Sequence, residues 1–500
     1  MMELVANSTE LLLSAAVWIC LLAGVTSGMV IGAVPGLSAT MGVALLIPFT
    51  FELDIMPAIG LLVGVYCGAV YGGTIPAILF RTPGTPASAA TLIDGYPLMQ
   101  RGEAGRALAL SAWSALIGGV IGTLLLIFLT PQISRFALSF GPAEFFALAV
   151  LGLSLITALS GDSLLKGAIV TVAGLLCATV GMDPVSGYPR FLFGSVSLME
   201  GLPFIPVLIG LFAIAEVFSG GDGSPAPIVG KRVKLFELPH MNDIKRCRWT
   251  QIKSAVIGTF TGATPGAGAD IAAFLCYSAA RQRAKPGDCY GEGEVKGIAA
   301  AESGKTAAIS GAMIPLLSLG IPGDSVTAVL IGAFILHGIQ PGPLLFRQHA
   351  PLAYAILAMM LCAHLLVFAA ALSSARFVMG ALKIDRRFLN TGILLLSLMG
   401  AYALRANFVD CWVALGFGVL GLGMRKTGFP AAPFLLALIL GGMAETNLRR
   451  ALVLGEGNPL FIFHRPLAPL LLLAALFFVG ATLWRPVTLR VLNTDKLKKP

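Results

Sequence analysis

Gly28-Met-Val-Ile-Gly32-Ala33-Val-Pro35-Gly36 is matched further along the chain by Gly258-Thr-Phe-Thr-Gly262-Ala263-Thr-Pro265-Gly266, with glycines, alanine and proline in the same places. A second pair follows in the same order. Gly72-Gly-Thr-Ile75-Pro76 runs on to Pro83-Gly84, and Gly311-Ala-Met-Ile314-Pro315 runs on to Pro322-Gly323 with the same internal spacing. The offsets are 230 residues (28 to 258) and 239 residues (84 to 323). The difference fits a longer polar loop in the second half, around Arg281 to Lys296. Two ordered matches at a nearly constant offset mark an internal repeat.

The segments that carry the repeat are apolar. The chain is 57% hydrophobic and 12% charged, against about 45–50% and about 25% in ordinary soluble domains. A surface so poor in charge suits lipid, whose core asks for about 20 apolar residues per helix. Leu11 to Ile31, Ala107 to Thr130, Ile298 to Leu319, Ile356 to Leu372 and Pro466 to Leu483 approach or meet that length. Others are shorter or interrupted by Gly and Pro. The apolar runs are continuous rather than alternating, which speaks against a β-barrel. The expected fold is an all-α polytopic membrane protein with about 11–13 membrane segments, some of them broken or re-entrant helices. No basic n-region precedes Leu11, so a retained first span is expected there rather than a signal peptide.

Net charge is +9, and its sign is localised. Lys231, Arg232, Lys234, Lys245, Arg246, Arg248 and Lys253 crowd a central stretch; Arg485, Arg490, Lys496, Lys498 and Lys499 crowd the C-terminus. The positive-inside rule places both in the cytoplasm and makes nucleic acid an unneeded partner. Glu3 and Glu10 then lie outside. The first repeat starts from that acidic end and the second from the basic loop, so the two copies are expected to be inverted, as in many secondary transporters. The chain divides into a first membrane repeat with linking helices (11–219), a basic cytoplasmic loop (220–253), a second membrane repeat with additional helices (254–484) and a basic tail (485–500).

Pro-Gly inside an apolar segment breaks a helix, because Pro lacks a donor and Gly permits unusual backbone angles. In lipid such breaks are buried in protein or line a wet cavity, where helix N-termini meet anions and carbonyls meet cations. Each of the four breaks leads into small polar residues. These nominate Pro35, Gly36, Ser38, Thr82, Gly84, Thr85, Ser88, Gly266, Gly323, Ser325 and Thr327 as substrate-binding positions, with Thr40 also following the first break. Thr85 aligns with Asp324, and Ser88 with Thr327. A bland alternative is a packing kink with hydroxyls bonded back to the helix.

Carboxylates at membrane depth are expensive, which nominates Asp270 and Asp324 for coupling to Na⁺ or H⁺; a water-exposed loop end is the alternative. Arg81 and Lys305 sit beside breaks and are nominated as anion contacts, with snorkelling to water as their alternative and Glu302 as a resting partner for Lys305. The every-fourth ladder Gly60, Gly64, Gly68, Gly72 reads as a packing ridge. Ser303-Gly304-Lys305-Thr306 falls short of a nucleotide P-loop, since Ala299 stands where Gly is needed. The eight cysteines form no CxxC pair and the five histidines show no metal spacing, so neither a metal nor another cofactor is expected.

Tyr71-Gly-Gly-Thr-Ile-Pro-Ala-Ile-Leu-Phe-Arg-Thr-Pro-Gly-Thr-Pro, continuing to Thr91-Leu-Ile-Asp-Gly-Tyr-Pro97, resembles the signature of the TctA family, the large membrane subunits of tripartite tricarboxylate transporters. Gly32-Ala-Val-Pro-Gly-Leu37, Leu319-Gly-Ile-Pro-Gly-Asp324 and His337-Gly-Ile-Gln-Pro-Gly-Pro-Leu344 match as well. The resemblance spans roughly Val17 to Leu483. It implies a periplasmic solute-binding protein (TctC-like), a small membrane subunit (TctB-like), and uptake of a di- or tricarboxylate across the bacterial inner membrane, driven by an ion gradient. Two positions depart from the family pattern: Arg81, where Asn is common, and Lys305-Thr306, where an Asn pair is common. A passive anion channel and a membrane-embedded enzyme are the competing readings. The enzyme would need a convergent nucleophile, base or metal set, which the sequence does not display.

Overall fold

The computed structural model of the protein describes residues 10–34, 36–159, 164–183, 187–219, 238–266, 268–381 and 386–480. Among these residues it is all-α but for one two-stranded antiparallel pair, Gly181–Met182 with Pro189–Arg190. Among the described residues six helices are long and apolar enough to cross a membrane: Ala15–Ala33, Ile55–Phe80, Ala104–Ala137, Ala350–Ser373, Phe408–Thr427 and Ala431–Leu454. Seven shorter apolar helices accompany them. Pro35 and the basic residues 220–237 and 481–500 lie outside the described residues. Residues 241–253, read from sequence as part of a loop, are the first turns of a helix that runs from Met241 to Ala263.

The chain forms two compact units, 1–137 with 205–422, and 138–204 with 423–500. These cut across the sequence halves: both repeat motifs belong to the first unit. In the second unit, Pro142–Leu159, Leu164–Ala178 and Ala431–Leu454 pack together. There Asp183 and Glu445 share Arg190 and Arg449, with contacts of 2.6 to 3.6 Å.

The first unit is built on helices α1 (Ala15–Ala33), α2 (Ala39–Leu46), α3 (Ile55–Gly72), α4 (Thr74–Phe80), α5 (Ala89–Gln100) and α6 (Ala104–Ala137). Their counterparts and neighbours are α7 (Met241–Ala263), α8 (Gly268–Arg281), α9 (Val295–Leu319) and α10 (Ser325–Leu336). The glycine ladder is the seam of α3 against α1. A Cβ on Gly64 would fall 2.6 Å from the Leu21 carbonyl oxygen, and one on Gly32 would collide with the carbonyl of Ala69. Small residues let backbones approach this closely, which is how helices associate where no hydrophobic force separates helix from lipid.

The repeat is visible contact by contact. Gly28 packs on the Val65 carbonyl and Gly258 on that of Gly304; Gly32 packs on Ala69 and Gly262 on Ala308. Each pair obeys the sequence offsets. The breaks also agree. The Thr82 N–H bonds the Pro76 carbonyl at 3.4 Å, and Ile321 bonds Pro315 at 3.2 Å. Each closes a left-handed helix end, at Arg81 (φ 58°) and Gly320 (φ 74°). The chain then doubles back: Gly84 lies on Gly32 and Gly73, and Gly323 on Gly262 and Ala312.

The two copies are inverted. Gly73 lies beside Ser88 and Gly95 beside Ile78, so α5 runs parallel to α4. Thr91 bonds Glu302, while Asp94 bonds the Glu294 N–H, so α5 runs antiparallel to α9. Helices α3–α4 and α9, equivalent by repeat, therefore point in opposite directions. The starts of α6, α7 and α9 share one end, tied by Arg106 to Asp243 (2.6 Å) and Arg246 to Glu294 (2.9 Å). That end carries Lys245, Arg246 and Arg248 of the central basic cluster, while Glu52 and Asp54 precede α3 at the other.

Candidate functional site

The repeat places Tyr66 and Lys305 at equivalent positions of α3 and α9, 239 residues apart. Each reaches across to the other copy's break. Tyr66 donates its hydroxyl to Asp324 Oδ2. Lys305 donates to Ser88 Oγ at 3.1 Å and to Thr74. A second equivalent pair does likewise: Thr40 bonds Ser325 at 2.8 Å, and Asp270, its partner by repeat, accepts the Ala87 N–H. The broken segments are thus laced together at the junction of the inverted copies.

Around Lys305 the site is dry and nearly saturated. Its side chain and that of Glu302 are both fully buried, with Nζ 2.8 Å from Glu302 Oε1. The three ammonium protons have three acceptors: Glu302, Thr74 and Ser88. Glu302 Oε1 also accepts from Thr74 (3.0 Å) and Thr91 (2.5 Å). Its second oxygen, Oε2, is buried with no hydrogen-bond partner among the described residues, as is the Thr306 hydroxyl. A buried pair like this breaks about even against apolar packing, whereas removing one partner costs about 3–5 kcal/mol. The pair sits within a nearly solid helix, α9 being buried from Gly297 to Ser318.

Around Asp324 the arrangement is different. This residue is the N-cap of α10, where Oδ1 accepts the Thr327 N–H and hydroxyl, both at 2.8 Å, in a capping box. Among the described residues no Lys or Arg pairs with it. Gly268, which opens α8, sets its backbone against the Asp324 side chain, and the Gly266 N–H bonds the Gly323 carbonyl at 2.8 Å. Asp270, in the first turn of α8, is solvent-accessible and lies within electrostatic reach of both Asp324 and Lys305.

Of the positions nominated from sequence, Thr85, Ser88, Lys305, Asp324, Ser325, Thr327 and Asp270 thus belong to one laced region. Thr85 bonds Ser88 at 3.2 Å. Gly84, Gly266 and Gly323 form its close backbone approaches. Gly36 (φ 97°) and Ser38, which caps α2 through the Met41 N–H at 3.1 Å, shape the first break. The Thr82 hydroxyl donates to the carbonyl of Phe80, at 3.3 Å. Arg81 stands apart. It is exposed, its guanidinium 5.8 Å from the Tyr96 ring, about 10 Å along α4 from Thr74. The cost of burying a cation falls on Lys305, where Glu302 offsets it, and not on the exposed Arg81.

Tyr66, Thr74 and Thr91 were not nominated. Tyr66 was accessible in principle, by carrying the 239-residue offset back from Lys305. Thr74 and Thr91 sit in apolar context and gave no signal. Asp94, in the signature stretch after Thr91, accepts the N–H groups of Gly291, Gly293 and Glu294 at 2.7 to 3.0 Å. It pins α5 to the loop before α9 and so keeps Thr91 on Glu302. A further buried polar chain, Thr123–Ser310–His364 at 3.0 and 3.2 Å, also escaped the sequence reading.

Comparison with known proteins agrees with this architecture. The family model described as the tripartite tricarboxylate transporter TctA family matches residues 18–436. An Agrobacterium vitis protein described as an uncharacterized 52.8 kDa protein in the TAR-I ttuC' 3' region is 37% identical over 482 residues, 95% of each chain. An uncharacterized protein in the TAR-II ttuC' 3' region of the same organism is 34% identical over 215 residues, 43% of this chain and 89% of its own. No solved structure matches. The chain is a multi-pass membrane protein and belongs to the TctA family, the large subunits of tripartite tricarboxylate transporters.

Proposed function

We propose that the protein is the permease subunit of a binding-protein-dependent secondary transporter that brings a di- or tricarboxylate into the cell. In this reading a periplasmic solute-binding protein delivers the anion, a small membrane subunit accompanies the permease, and a Na⁺ or H⁺ gradient drives uptake. The membrane is the bacterial inner membrane, with the basic end of α6, α7 and α9 in the cytoplasm.

The observation that carries the reading is the buried Lys305–Glu302 pair beside the break at Thr85–Ser88. Lys305 supplies the positive charge a carboxylate needs, and Glu302 neutralises it while the site is empty. An arriving carboxylate takes over that role, leaving Glu302 to its hydroxyl partners. The equivalent region at Asp324, with Asp270 nearby, has the opposite sign and suits the coupling cation. Adjacent regions of opposite charge on inverted, broken helices fit alternating access better than a passive pore.

Uptake of radiolabelled dicarboxylate into proteoliposomes tests it, with the small subunit reconstituted and the binding protein and an ion gradient each added or withheld. Accumulation that requires both supports the reading; gradient-independent equilibration would favour a channel.

A further inference from the structure

A second region of concentrated charge lies away from the break site, at the basic end of the first unit. A cavity of about 540 Å³ opens between the first half of α7, the C-terminal end of α8 and the loop that leads into α9. Arg246, Trp249 and Lys253 line it from α7; Arg283, Lys285 and Lys296 line it from the loop and the start of α9. No carboxylate lines it.

The cations divide into two sets. Arg246 is held by Asp288 (3.1 Å) and Glu294 (2.9 Å), and Lys296 by Asp288 (2.7 Å). Burial alone would raise the Asp288 carboxyl, but its bonds to Lys296, the Lys285 backbone and Arg246 outweigh that and hold it at about 2. Those two cations are therefore fixed parts of the wall. Lys253, Arg283 and Lys285 have no acidic partner among the described residues. Three free positive charges converge on a space with no counter-charge of its own.

The depth of the cavity says what fills it. α7 is polar from Met241 to Lys253 and apolar from Ala255 to Ala263. Lys253 thus marks the level where the helix enters the hydrocarbon layer. Trp249 stands just before it, 61% exposed, as aromatic residues do at the headgroup level. Beyond it Val256 and Phe260 of α7, and Ile271, Phe274 and Leu275 of α8, turn exposed apolar side chains outward. A soluble anion would use the cations and leave that apolar wall without purpose; a lipid uses both.

We infer that this cavity binds the headgroup of an anionic phospholipid, its phosphate held by Lys253, Arg283 and Lys285 and its acyl chains laid along α7 and α8. Each basic residue near a membrane surface adds about fivefold to such binding, so three give a preference of roughly a hundredfold over a zwitterionic lipid, declining with salt.

The full-length protein, purified in detergent, is equilibrated with phosphatidylglycerol or phosphatidylcholine and the retained lipid counted by native mass spectrometry. The wild type retains phosphatidylglycerol preferentially. The triple variant Lys253→Gln, Arg283→Gln, Lys285→Gln loses the preference, while Lys245→Gln with Arg248→Gln, outside the cavity, keeps it. A second measurement needs no charge variant. In protein whose remaining tryptophans are phenylalanine, Trp249 fluorescence is quenched more by brominated phosphatidylglycerol than by brominated phosphatidylcholine. Equal quenching, equal retention, or a preference that survives the triple substitution overturns the inference. So does displacement of the lipid by an equal concentration of inorganic phosphate, which would make the cavity a site for a soluble anion.

Discussion

Lys305 and Tyr66 occupy the same place in two inverted copies of one fold, and each reaches into the break of the other copy. One is a cation with a built-in counter-charge; the other is a neutral hydroxyl on a carboxylate that has none among the described residues. Divergence at a symmetric pair has produced two neighbouring regions of opposite sign. That asymmetry is what the proposed symport of an anion and a cation requires.

The ion pair gives the first prediction. Glu302→Gln leaves a buried ammonium without its charge partner and should lower unfolding stability by about 3–5 kcal/mol; Lys305→Met should cost a similar amount. The double variant Glu302→Gln, Lys305→Met should recover most of the stability and none of the transport. Chemical unfolding in detergent beside uptake assays separates the two effects. A double variant that transports would remove Lys305 from the path.

Arg81 should behave differently from Lys305, although the sequence treats them alike. It is exposed and occupies a left-handed position that its repeat fills with Gly320. Arg81→Gly removes about 1 kcal/mol of backbone strain and should leave dicarboxylate uptake within about twofold, a free-energy change under about 0.5 kcal/mol. Lys305→Gln should abolish it, and should hurt a dicarboxylate more than a monocarboxylate. Comparable losses in both variants would restore Arg81 to the site.

The breaks are close backbone approaches before they are anything else. Gly84→Leu and Gly323→Leu should abolish transport, because a Cβ at either position meets the backbone of Gly32 or Gly262. Even Gly84→Ala should destabilise the protein measurably. Gly416→Ala, where a Cβ meets nothing within 4 Å, should be neutral. A thermal melt of each variant checks this, with wild-type behaviour of Gly84→Ala as the contrary result.

Much of the fold was legible from residues alone. The offsets between Gly28 and Gly258, and between Gly84 and Gly323, are spatial equivalences as well as sequence ones. The inversion followed from the acidic start of one copy and the basic start of the other. What sequence could not supply was reach across the repeats. Thr74 and Thr91 are small hydroxyls in apolar helices, and only the packing of α5 against α9 brings them onto Glu302. Arg81 could not be told apart from Lys305 for a related reason. A charge beside a helix break looks the same in sequence whether it faces the bundle or the rim. The compact units, too, are set by long-range packing that no local pattern announces.

Acid should act on the loop before α9. The Asp288 carboxyl is held at about 2, below its ordinary value near 4. A depressed folded value means its stabilisation is fully present above about pH 4 and is lost as pH falls toward 2. Asp288→Asn should therefore lower the melting temperature at pH 7 and converge on the wild type only as pH falls to about 2. A difference that stays constant over that range would show that the charge is not the cause.

Coupling is tested most directly by accumulation. Proteoliposomes holding the permease and its small subunit are given a dicarboxylate-loaded binding protein, and a Na⁺ or a H⁺ gradient is imposed in turn. The wild type should concentrate substrate under one of the two gradients. Asp324→Asn or Asp270→Asn should lose that dependence while still exchanging substrate across the membrane. Substrate that only equilibrates in the wild type, whichever gradient is imposed, would contradict the account.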